Sequence, residues 1–222
     1  MALAIALPRP LFLVFHTFLA MNRPRSAPPH SPRRSLPAEV RIIGGQWRRR
    51  RLPVLHKEGL RPTPDRVRET LFNWLGQDLT GWHCLDAFAG TGALGFEAAS
   101  RHATQVTMNE RDPQVFAQLE QSVRQLGAAH VLLHRGDGLQ VLVQPPSRQA
   151  KGWDLILLDP PFASDLDAQA LPLARQALAD DGFVYLESAR AWTDAAGLAE
   201  QGWRLHRYLK AGAVHAHLLR KG

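Results

Sequence analysis

From residue 83 onwards, short apolar runs alternate with amphipathic stretches, and this alternation restricts the possible fold more than any other feature of the sequence. It predicts an α/β doubly wound sheet, in which helices cover mostly parallel strands. Only the short segment KAGA separates the last two predicted strands, so they should form an antiparallel hairpin. The predicted strands are 83–87, 105–110, 130–134, 153–159, 182–188, 202–209 and 213–219, and the predicted helices are 92–101, 112–126, 137–143, 167–179 and 191–199.

A different pattern precedes this alternation. In residues 39–55, apolar side chains on either side of a glycine pair predict a short β-hairpin. Residues 61–77 predict a helix, because apolar residues recur at helical spacing. Thr63 is its expected N-cap, and Pro64 suits its first position.

The balance of charge is basic. The 222 residues carry a formal net charge of +7, with a sequence pI of about 10.4. Such a balance favours polyanionic partners such as nucleic acid, although an arginine-rich solvated surface would produce the same balance. Cys84 is the single cysteine, which excludes an intramolecular disulfide and a multi-cysteine zinc site. It lies in an apolar run and is expected in the core.

Composition also suggests a division of the chain. Residues 1–38 are predicted to be a disordered N-terminal extension, because the part after Met21 has too few apolar side chains to offset the entropy of ordering. We expect translation to start at Met21. A basic hairpin and helix then occupy 39–80, and a catalytic domain occupies 81–222.

A glycine loop follows the first predicted strand of the sheet. The segment DAFAGTGALGFEAASR places Gly90, Gly92 and Gly95 before a helix, in the pattern G-x-G-x-x-G. Such glycines let the backbone turn tightly and let a ligand approach the amide groups. The motif fits dinucleotides and S-adenosylmethionine alike, and a tight turn without a ligand is a third interpretation.

Three acids at the ends of predicted strands narrow this choice. Asp86 precedes the glycines, where it would repel a pyrophosphate but could bind a methionine ammonium group, which favours S-adenosylmethionine. Glu110 ends the second strand and could accept hydrogen bonds from a ribose diol. Asp137 ends the third strand and could either bind an adenine amino group or cap the next helix. Glu187 could line the site, cap a helix or lie on the surface.

The fourth predicted strand ends in Asp159-Pro160-Pro161-Phe162. Ligands of open α/β sheets bind beyond the carboxyl ends of the strands, near the switch in strand order. There, the Asp159 carboxylate and the Pro160 carbonyl could hold the two N–H groups of an exocyclic amine and turn its lone pair toward a methyl donor. Phe162 could stack on the base. A strand-ending turn with a core phenylalanine is the alternative.

These two motifs resemble those of class I S-adenosylmethionine-dependent N-methyltransferases. The blocks RIIGGQWRRRRLPV and GLRPTPDRVRETLFNWL resemble, more narrowly, the bacterial enzymes that methylate N2 of guanine 966 in 16S ribosomal RNA. The similarity runs from about Arg41 to the C-terminus. It implies a Rossmann-like, seven-stranded sheet with a C-terminal antiparallel hairpin and S-adenosylmethionine as cofactor. It also implies a cytoplasmic monomer, without metal or membrane, that acts on small-subunit ribosomal RNA in an assembling or assembled 30S particle.

The resemblance also implies which residues carry the function. Catalysis falls to Asp159, Pro160, Pro161 and Phe162. The expected cofactor site comprises Asp86, Phe88, Ala89, Gly90, Thr91, Gly92, Glu110, Arg111, Asp137, Gly138 and Asp159. The candidates for RNA contact are Arg41, Gln46, Arg48, Arg49, Arg61 and Arg66, some of which could instead pack the N-terminal segment over the cofactor.

Three other functions compete with this interpretation. An adenine-N6 methyltransferase of DNA or RNA uses a similar acid-Pro-Pro-aromatic turn, but it does not explain the N-terminal blocks. An NAD-dependent oxidoreductase would explain the glycine loop and leave the Asp-Pro-Pro-Phe turn without a purpose. A non-catalytic RNA-binding protein would have no need to keep that turn intact.

Overall fold

The computed structural model describes residues 39–144, 151–161 and 164–222, which all belong to the unit Ser35–Gly222. The predicted disordered extension and Phe162 lie outside the described residues, and the division at residue 80 stays a prediction. None of the described helices is long and apolar enough to cross a membrane. The strands are β1 (Glu39–Arg41), β2 (Arg51–Pro53), β3 (His83–Asp86), β4 (Gln105–Asn109), β5 (Val131–His134), β6 (Trp153–Leu158), β7 (Leu178–Ser188), β8 (Trp203–Ala211) and β9 (Val214–Lys221). The helices are α1 (Asp65–Leu75), α2 (Ala93–Ser100), α3 (Pro113–Leu126), α4 (Gly138–Leu142), α5 (Leu166–Ala177) and α6 (Ala195–Glu200).

The central sheet has seven strands in the order β5-β4-β3-β6-β7-β9-β8. The five strands from β3 to β7 pair in parallel, whereas β9 pairs antiparallel with both β7 and β8. This confirms the predicted mostly parallel sheet with a C-terminal antiparallel hairpin. The strand order changes direction between β3 and β6, so a crevice is expected at their carboxyl ends.

The apolar runs form strands because both faces of the sheet are covered. Along β6, Leu155 and Leu157 belong to one core cluster, and Ile156 and Leu158 belong to the other. This alternation follows from the twofold period of a strand. Cys84 on β3 is fully buried in the first cluster, as its apolar surroundings predict.

The start of β7 differs from the prediction. The sequence predicts a helix up to residue 179 and a strand from residue 182, but α5 ends at Ala177 and β7 begins directly after it at Leu178. The reason is tertiary: Leu178 pairs with Trp153, and the register then shifts before Leu155 pairs with Phe183. Pairing of Leu178 with β6 thus starts the strand early, and residues 179–182 form a bulge-like irregularity between the two paired stretches.

The N-terminal pair is a short antiparallel ladder, in which Val40 faces Leu52. The predicted cap of the following helix is wrong. Pro64, not Thr63, is the N-cap of α1, no side chain caps the helix, and the first helical residue is Asp65. The Thr63 hydroxyl instead lies 3.5 Å from Oδ2 of Asp159, across the crevice. The Thr63 hydroxyl therefore contacts a residue 96 positions away in the sequence in place of the predicted backbone amide of its own helix.

Candidate active site

The carboxyl ends of β3, β6 and β7 are adjacent in the sheet, and each carries an acid. Asp86 ends β3, Asp159 follows β6, and Glu187 is the penultimate residue of β7. Burial raises the pKa of all three carboxyl groups, and the charges of Glu187 and Asp86 raise that of Asp159 further. A cluster of buried acids with perturbed pKa values in a crevice is typical of a functional site.

The glycine loop between β3 and α2 has the geometry that the motif predicts. Gly90 and Gly92 have φ angles of +49° and +78°, in the left-handed region that favours glycine. A Cβ on Gly92 would lie 2.5 Å from the Phe96 ring, so only glycine fits there. Ala89 is buried beside this turn and Thr91 is half-buried.

Asp86 is buried below this loop and is only partly satisfied. Its Oδ2 accepts a hydrogen bond from the Gly95 amide at 3.0 Å. Its Oδ1 is buried and has no hydrogen-bond partner among the described residues. Burial raises the pKa of Asp86 to about 7, and the charge of Glu110 adds to the rise. A buried carboxylate oxygen without a donor fits a cationic ligand group such as an ammonium.

Glu110, the second predicted acid, is hydrogen-bonded to the backbone of the glycine loop. The Glu110 carboxylate accepts hydrogen bonds from the Gly90 amide at 3.0 Å and from the Asp112 amide at 2.7 Å. Glu110 therefore lies at the glycine loop, where a ribose would have to bind. Arg111, the next residue, is exposed.

At the end of β5, Asp137 is the N-cap of α4. Its Oδ1 accepts hydrogen bonds from the amides of Leu139 and Gln140. Helix capping is one of the two roles that the sequence left open for Asp137. These hydrogen bonds hold its carboxyl group at the same edge of the sheet as Glu110. The next residue, Gly138, lies under the Phe88 ring, which a Cβ would approach to 2.3 Å. The glycine loop and the start of α4 are thereby brought together.

The turn after β6 is held through several contacts. Asp159 is partly exposed, Pro160 is buried, and Pro161 accepts hydrogen bonds from the amide and hydroxyl of Ser164. The Pro160 carbonyl oxygen accepts no hydrogen bond within the described ranges. Of the four predicted catalytic residues, these three lie at the crevice, while Phe162 is outside the described residues.

Thr63, Glu187 and Asn109 also belong to this edge. Lining the site was one of three roles that the sequence left open for Glu187, whereas Thr63 was predicted only as a helix cap and Asn109 was not singled out. Thr63 is 5% exposed, and its hydroxyl lies near both Asp159 and Glu187. Glu187 is 2% exposed and accepts a hydrogen bond from the Tyr185 hydroxyl at 2.8 Å. Asn109, at the end of β4, donates to the carbonyls of Ala87 and Gly136 and so ties three strand ends together. The polar residue that ends each apolar strand is the signal that could have identified Asn109 and Glu187.

A buried charged cluster anchors α1 and the N-terminal pair to the sheet. Glu97 on α2 is completely buried and pairs with Arg68 at 2.5 Å and with Arg101. It also accepts a hydrogen bond from the Ile43 amide at 2.7 Å. The Nε of Arg68 donates to the Thr63 carbonyl at 3.1 Å, so this cluster holds Thr63 in place beside Asp159.

The predicted RNA-contact residues form two groups. Arg48, Arg49, Arg61 and Arg66 are exposed, and none of them takes part in an ion pair in the described part of the chain. The other two have structural contacts: Arg41 pairs with Asp65 at 2.6 Å, and the Gln46 side chain donates to the Ala99 carbonyl at 3.4 Å.

Comparison with known proteins places this architecture in a family. Residues 40–220 match the family described as conserved hypothetical protein 95. The curated ribosomal RNA small subunit methyltransferase D of Escherichia coli is 39% identical over 192 residues, which cover 86% of this chain and 94% of that protein. Its Haemophilus influenzae counterpart is 41% identical over 184 residues, with coverages of 81% and 93%. A solved Escherichia coli structure, described as the methyltransferase yhhF, superposes with a TM-score of 0.70 at 40% identity, covering 83% of this chain and 98% of that one. The chain therefore belongs to the family described as conserved hypothetical protein 95, together with these ribosomal RNA small subunit methyltransferases.

Proposed function

We propose that the protein transfers a methyl group from S-adenosylmethionine to the exocyclic N2 amine of guanine 966 in 16S ribosomal RNA. The observation that carries the proposal is the Asp159-Pro160-Pro161 turn beside the glycine loop, at the strand switch of a sheet shared with ribosomal RNA methyltransferases. A polar turn at the carboxyl ends of the strands, beside the strand switch, lies next to the glycine loop and is open to an incoming base. In our proposal, segment 39–80 serves RNA binding, and 81–222 serves cofactor binding and catalysis.

The residues at the carboxyl edge fit S-adenosylmethionine. Asp86 has a buried oxygen that accepts no hydrogen bond from the described residues, which suits the methionine ammonium, and Glu110 at the glycine loop suits the ribose hydroxyls. Asp137 suits the adenine amino group, while Phe88, Ala89, Thr91, Arg111 and Gly138 surround these acids. When bound, the cofactor supplies an activated methyl group on a sulfonium centre.

The chain's own contribution is to hold and align the amine. The lone pair of a guanine N2 amine is delocalised into the ring, which makes the amine a poor nucleophile. Two acceptors, the Asp159 carboxylate and the Pro160 carbonyl, would hold its N–H groups and direct the lone pair out of the ring plane. As the N–C bond forms, a proton on N2 becomes acidic. The Asp159 carboxylate, whose pKa is raised by burial, can accept that proton.

The exposed arginines suit an RNA backbone. Arg48, Arg49, Arg61 and Arg66 present exposed guanidinium groups, which form no ion pair with the described residues, from the N-terminal segment and the region of α1. Such groups contribute affinity that depends on salt but not on sequence. We propose that the protein acts as a monomer, in the cytoplasm, on RNA within an assembling or assembled 30S particle.

The test is to incubate the protein with labelled S-adenosylmethionine and, separately, duplex DNA, naked 16S RNA or small subunits lacking the modification. We expect label only in RNA, as N2-methylguanine at position 966 when the RNA is digested and examined by mass spectrometry. Label in DNA, label on adenine, or no label in any sample would each contradict the proposal.

Asp159→Ala tests the role of the turn. Loss of an amine acceptor should reduce kcat by about 100-fold or more, while the dissociation constant for S-adenosylmethionine changes little. Calorimetric titration with the cofactor and single-turnover methylation measure the two quantities. An equally large loss of cofactor affinity would mean that Asp159 serves the cofactor and not the amine.

A further inference from the structure

A small cavity beside the Asp-Pro-Pro turn has chemistry that the proposed amine transfer does not use. Its volume is about 120 Å³, and Pro160 and Pro161 form one wall. Glu187, Ser188 and Arg190, at and after the end of β7, form another wall. Typical small-molecule pockets measure about 300–1,000 Å³, so this cavity suits a part of a ligand about as large as a nucleobase.

Polar groups from two neighbouring strand ends lie at and beside this cavity. Pro160, Glu187 and Arg190 line it, and Asp159 directly precedes Pro160 in the turn after β6. The edge of a guanine presents three groups side by side: the N2 amine, the N1–H donor and the O6 acceptor. The first of these belongs to the Asp-Pro-Pro turn in the proposed function.

We propose that Glu187 and Arg190 make the site specific for guanine, with Glu187 accepting the N1–H and Arg190 donating to O6. This inference rests on the proposed function and extends it to the choice of base. Adenine has an acceptor at N1, whose lone pair would face the Glu187 carboxylate. The site would then favour guanine by attraction and exclude adenine by repulsion.

The surroundings of Glu187 suit such a role. The side chain is 2% exposed, and the Tyr185 hydroxyl holds its Oε1 at 2.8 Å, so the carboxyl group cannot turn freely into solvent. A buried acceptor discriminates strongly, because a ligand without the matching N–H leaves it unpaired. Because Glu187 is held by its own β-strand, it offers this acceptor in one position.

Arg190 is positioned by a separate set of contacts. Its Nε lies 3.4 Å from Oδ2 of Asp167, and its guanidinium lies 4.0 Å above the Trp192 ring. Asp167 itself is held by the Ser188 hydroxyl at 2.8 Å. The Arg190 side chain is nevertheless 54% exposed at the wall of the cavity, which leaves donors for an incoming base. Arginine is the side chain that most often binds guanine O6.

The test uses 2-aminopurine, which keeps the C2 amine but has an acceptor at N1 and no O6. The substrate is the RNA or reconstituted small subunit that the wild-type protein methylates, with either guanine or 2-aminopurine at the target position. We expect the wild-type kcat/KM to be at least about 100-fold higher for guanine. If the wild-type protein methylates no guanine, both the proposed function and this inference fail.

Glu187→Gln is the decisive variant, because its amide keeps the shape of the side chain and can donate to N1 of 2-aminopurine. We expect kcat/KM to fall at least about tenfold for guanine and to rise for 2-aminopurine, so that the preference shrinks to less than about tenfold. A role in folding alone would lower both values by the same factor, and that result would overturn the inference. Glu200→Gln, exposed at the end of α6, is the matched control and should keep the wild-type preference.

Arg190→Ala tests the second contact at a side chain that is half exposed. Activity on guanine should fall about tenfold or more, while activity on 2-aminopurine, which has no O6, should stay within about twofold. Equal losses on the two substrates would remove Arg190 from base recognition. If Glu187→Gln and Arg190→Ala both lowered the two activities equally, the cavity would not be the guanine site.

Discussion

At the scale of single residues, the most consequential feature is a cluster of three acids that repel one another, of which Asp86 and Glu187 are buried and Asp159 is partly exposed. Asp86, Asp159 and Glu187 occupy adjacent strand ends, and burial raises the pKa of each. In each case the folded state binds a proton more tightly than the unfolded chain. Placing three like-charged acids together lowers the stability of the fold. The proposed function requires these groups, so this cost falls where the cofactor and the amine would bind.

Asp86 should make the stability of the ligand-free protein depend on pH. Its pKa is raised from an ordinary value of 3.8 to about 7, so the stabilising proton is lost as the pH rises through that range. Asp86→Asn should therefore lose less stability between pH 5 and pH 8 than the wild type does. The difference should be at least about 1.4 kcal/mol, the equivalent of one pKa unit. Urea unfolding at several pH values measures it.

The control for this prediction is Asp78→Asn. The pKa of Asp78 is lowered by its hydrogen bonds to Thr80, so its contribution changes only below the ordinary carboxyl range. This variant should keep the wild-type slope between pH 5 and pH 8. If Asp86→Asn showed that slope too, the pKa of Asp86 would not be raised in the folded protein, which would contradict the prediction. Asp86→Asn should also weaken binding of S-adenosylmethionine, because it removes the charge that faces the ammonium.

At the scale of elements, the N-terminal pair and α1 depend on a few contacts with α2. Glu97 pairs with two buried arginines, and the amide of Trp47 and the carbonyl of Gly44 bond the Ser100 hydroxyl. Through Arg68, the same contacts position Thr63 beside Asp159. The packing of the N-terminal pair and α1 against α2 therefore also determines where Thr63 lies relative to Asp159.

Gly45→Ala should undock the N-terminal pair. Gly45 has a φ of +72°, and a Cβ there would lie 1.8 Å from the Ser100 carbonyl oxygen. Gly59 has a similar φ of +78°, but no atom of the described residues lies within 4 Å of the position that its Cβ would take. Gly59→Ala should cost about 1–2 kcal/mol from backbone strain alone, and Gly45→Ala clearly more. Equal costs in thermal unfolding would mean that the contact with Ser100 contributes nothing.

Glu97→Gln should be one of the most damaging single substitutions in the chain. It leaves the charges of Arg68 and Arg101 buried without a counter-charge, which typically costs about 3–5 kcal/mol. Glu69→Gln, on the exposed side of α1, should change the stability by less than about 0.5 kcal/mol. Chemical denaturation of the two variants makes the comparison. A small loss for Glu97→Gln would show that the cluster is hydrated and not buried.

At the scale of the whole molecule, the arginines differ in whether they pair with acids or remain exposed. Several arginines pair with acids within the fold, whereas Arg48, Arg49, Arg61 and Arg66 remain exposed on or near the N-terminal segment. The net charge of +7 should therefore act mainly through this surface in RNA binding.

Arg48→Ala combined with Arg49→Ala should reduce the salt dependence of RNA binding. Each lost phosphate contact lowers the slope of log K against log salt by about 0.7–0.9, so the pair should lower it by about 1.5. Arg204 and Arg207, exposed on β8 at the opposite edge of the sheet from β5, provide the matched control pair. Binding titrations at several salt concentrations measure the slope for each double variant, and the control pair should keep the wild-type slope. An unchanged slope for Arg48 and Arg49 would exclude them as phosphate contacts.

The sequence by itself determined the class of fold and which strand-end acids meet at one edge of the sheet. Apolar runs such as WDLILL form buried strands wherever both faces are covered, and the polar residues that end them must lie at one edge of a parallel sheet. This reasoning places Asp86, Glu110 and Asp159 together without coordinates, because a strand period and a strand direction are local properties.

Only the tertiary structure decided which groups face the turn after β6. Glu187 lines the same cavity as Pro160 because β7 pairs with β6, and Thr63 lies beside Asp159 because buried ion pairs dock α1. The sequence does not settle either role: Thr63 has the sequence context of a helix cap, and the strand-end position of Glu187 fits a place in the site, a cap or the surface equally well. Contacts between residues far apart in the chain depend on the total packing free energy, which no short segment determines.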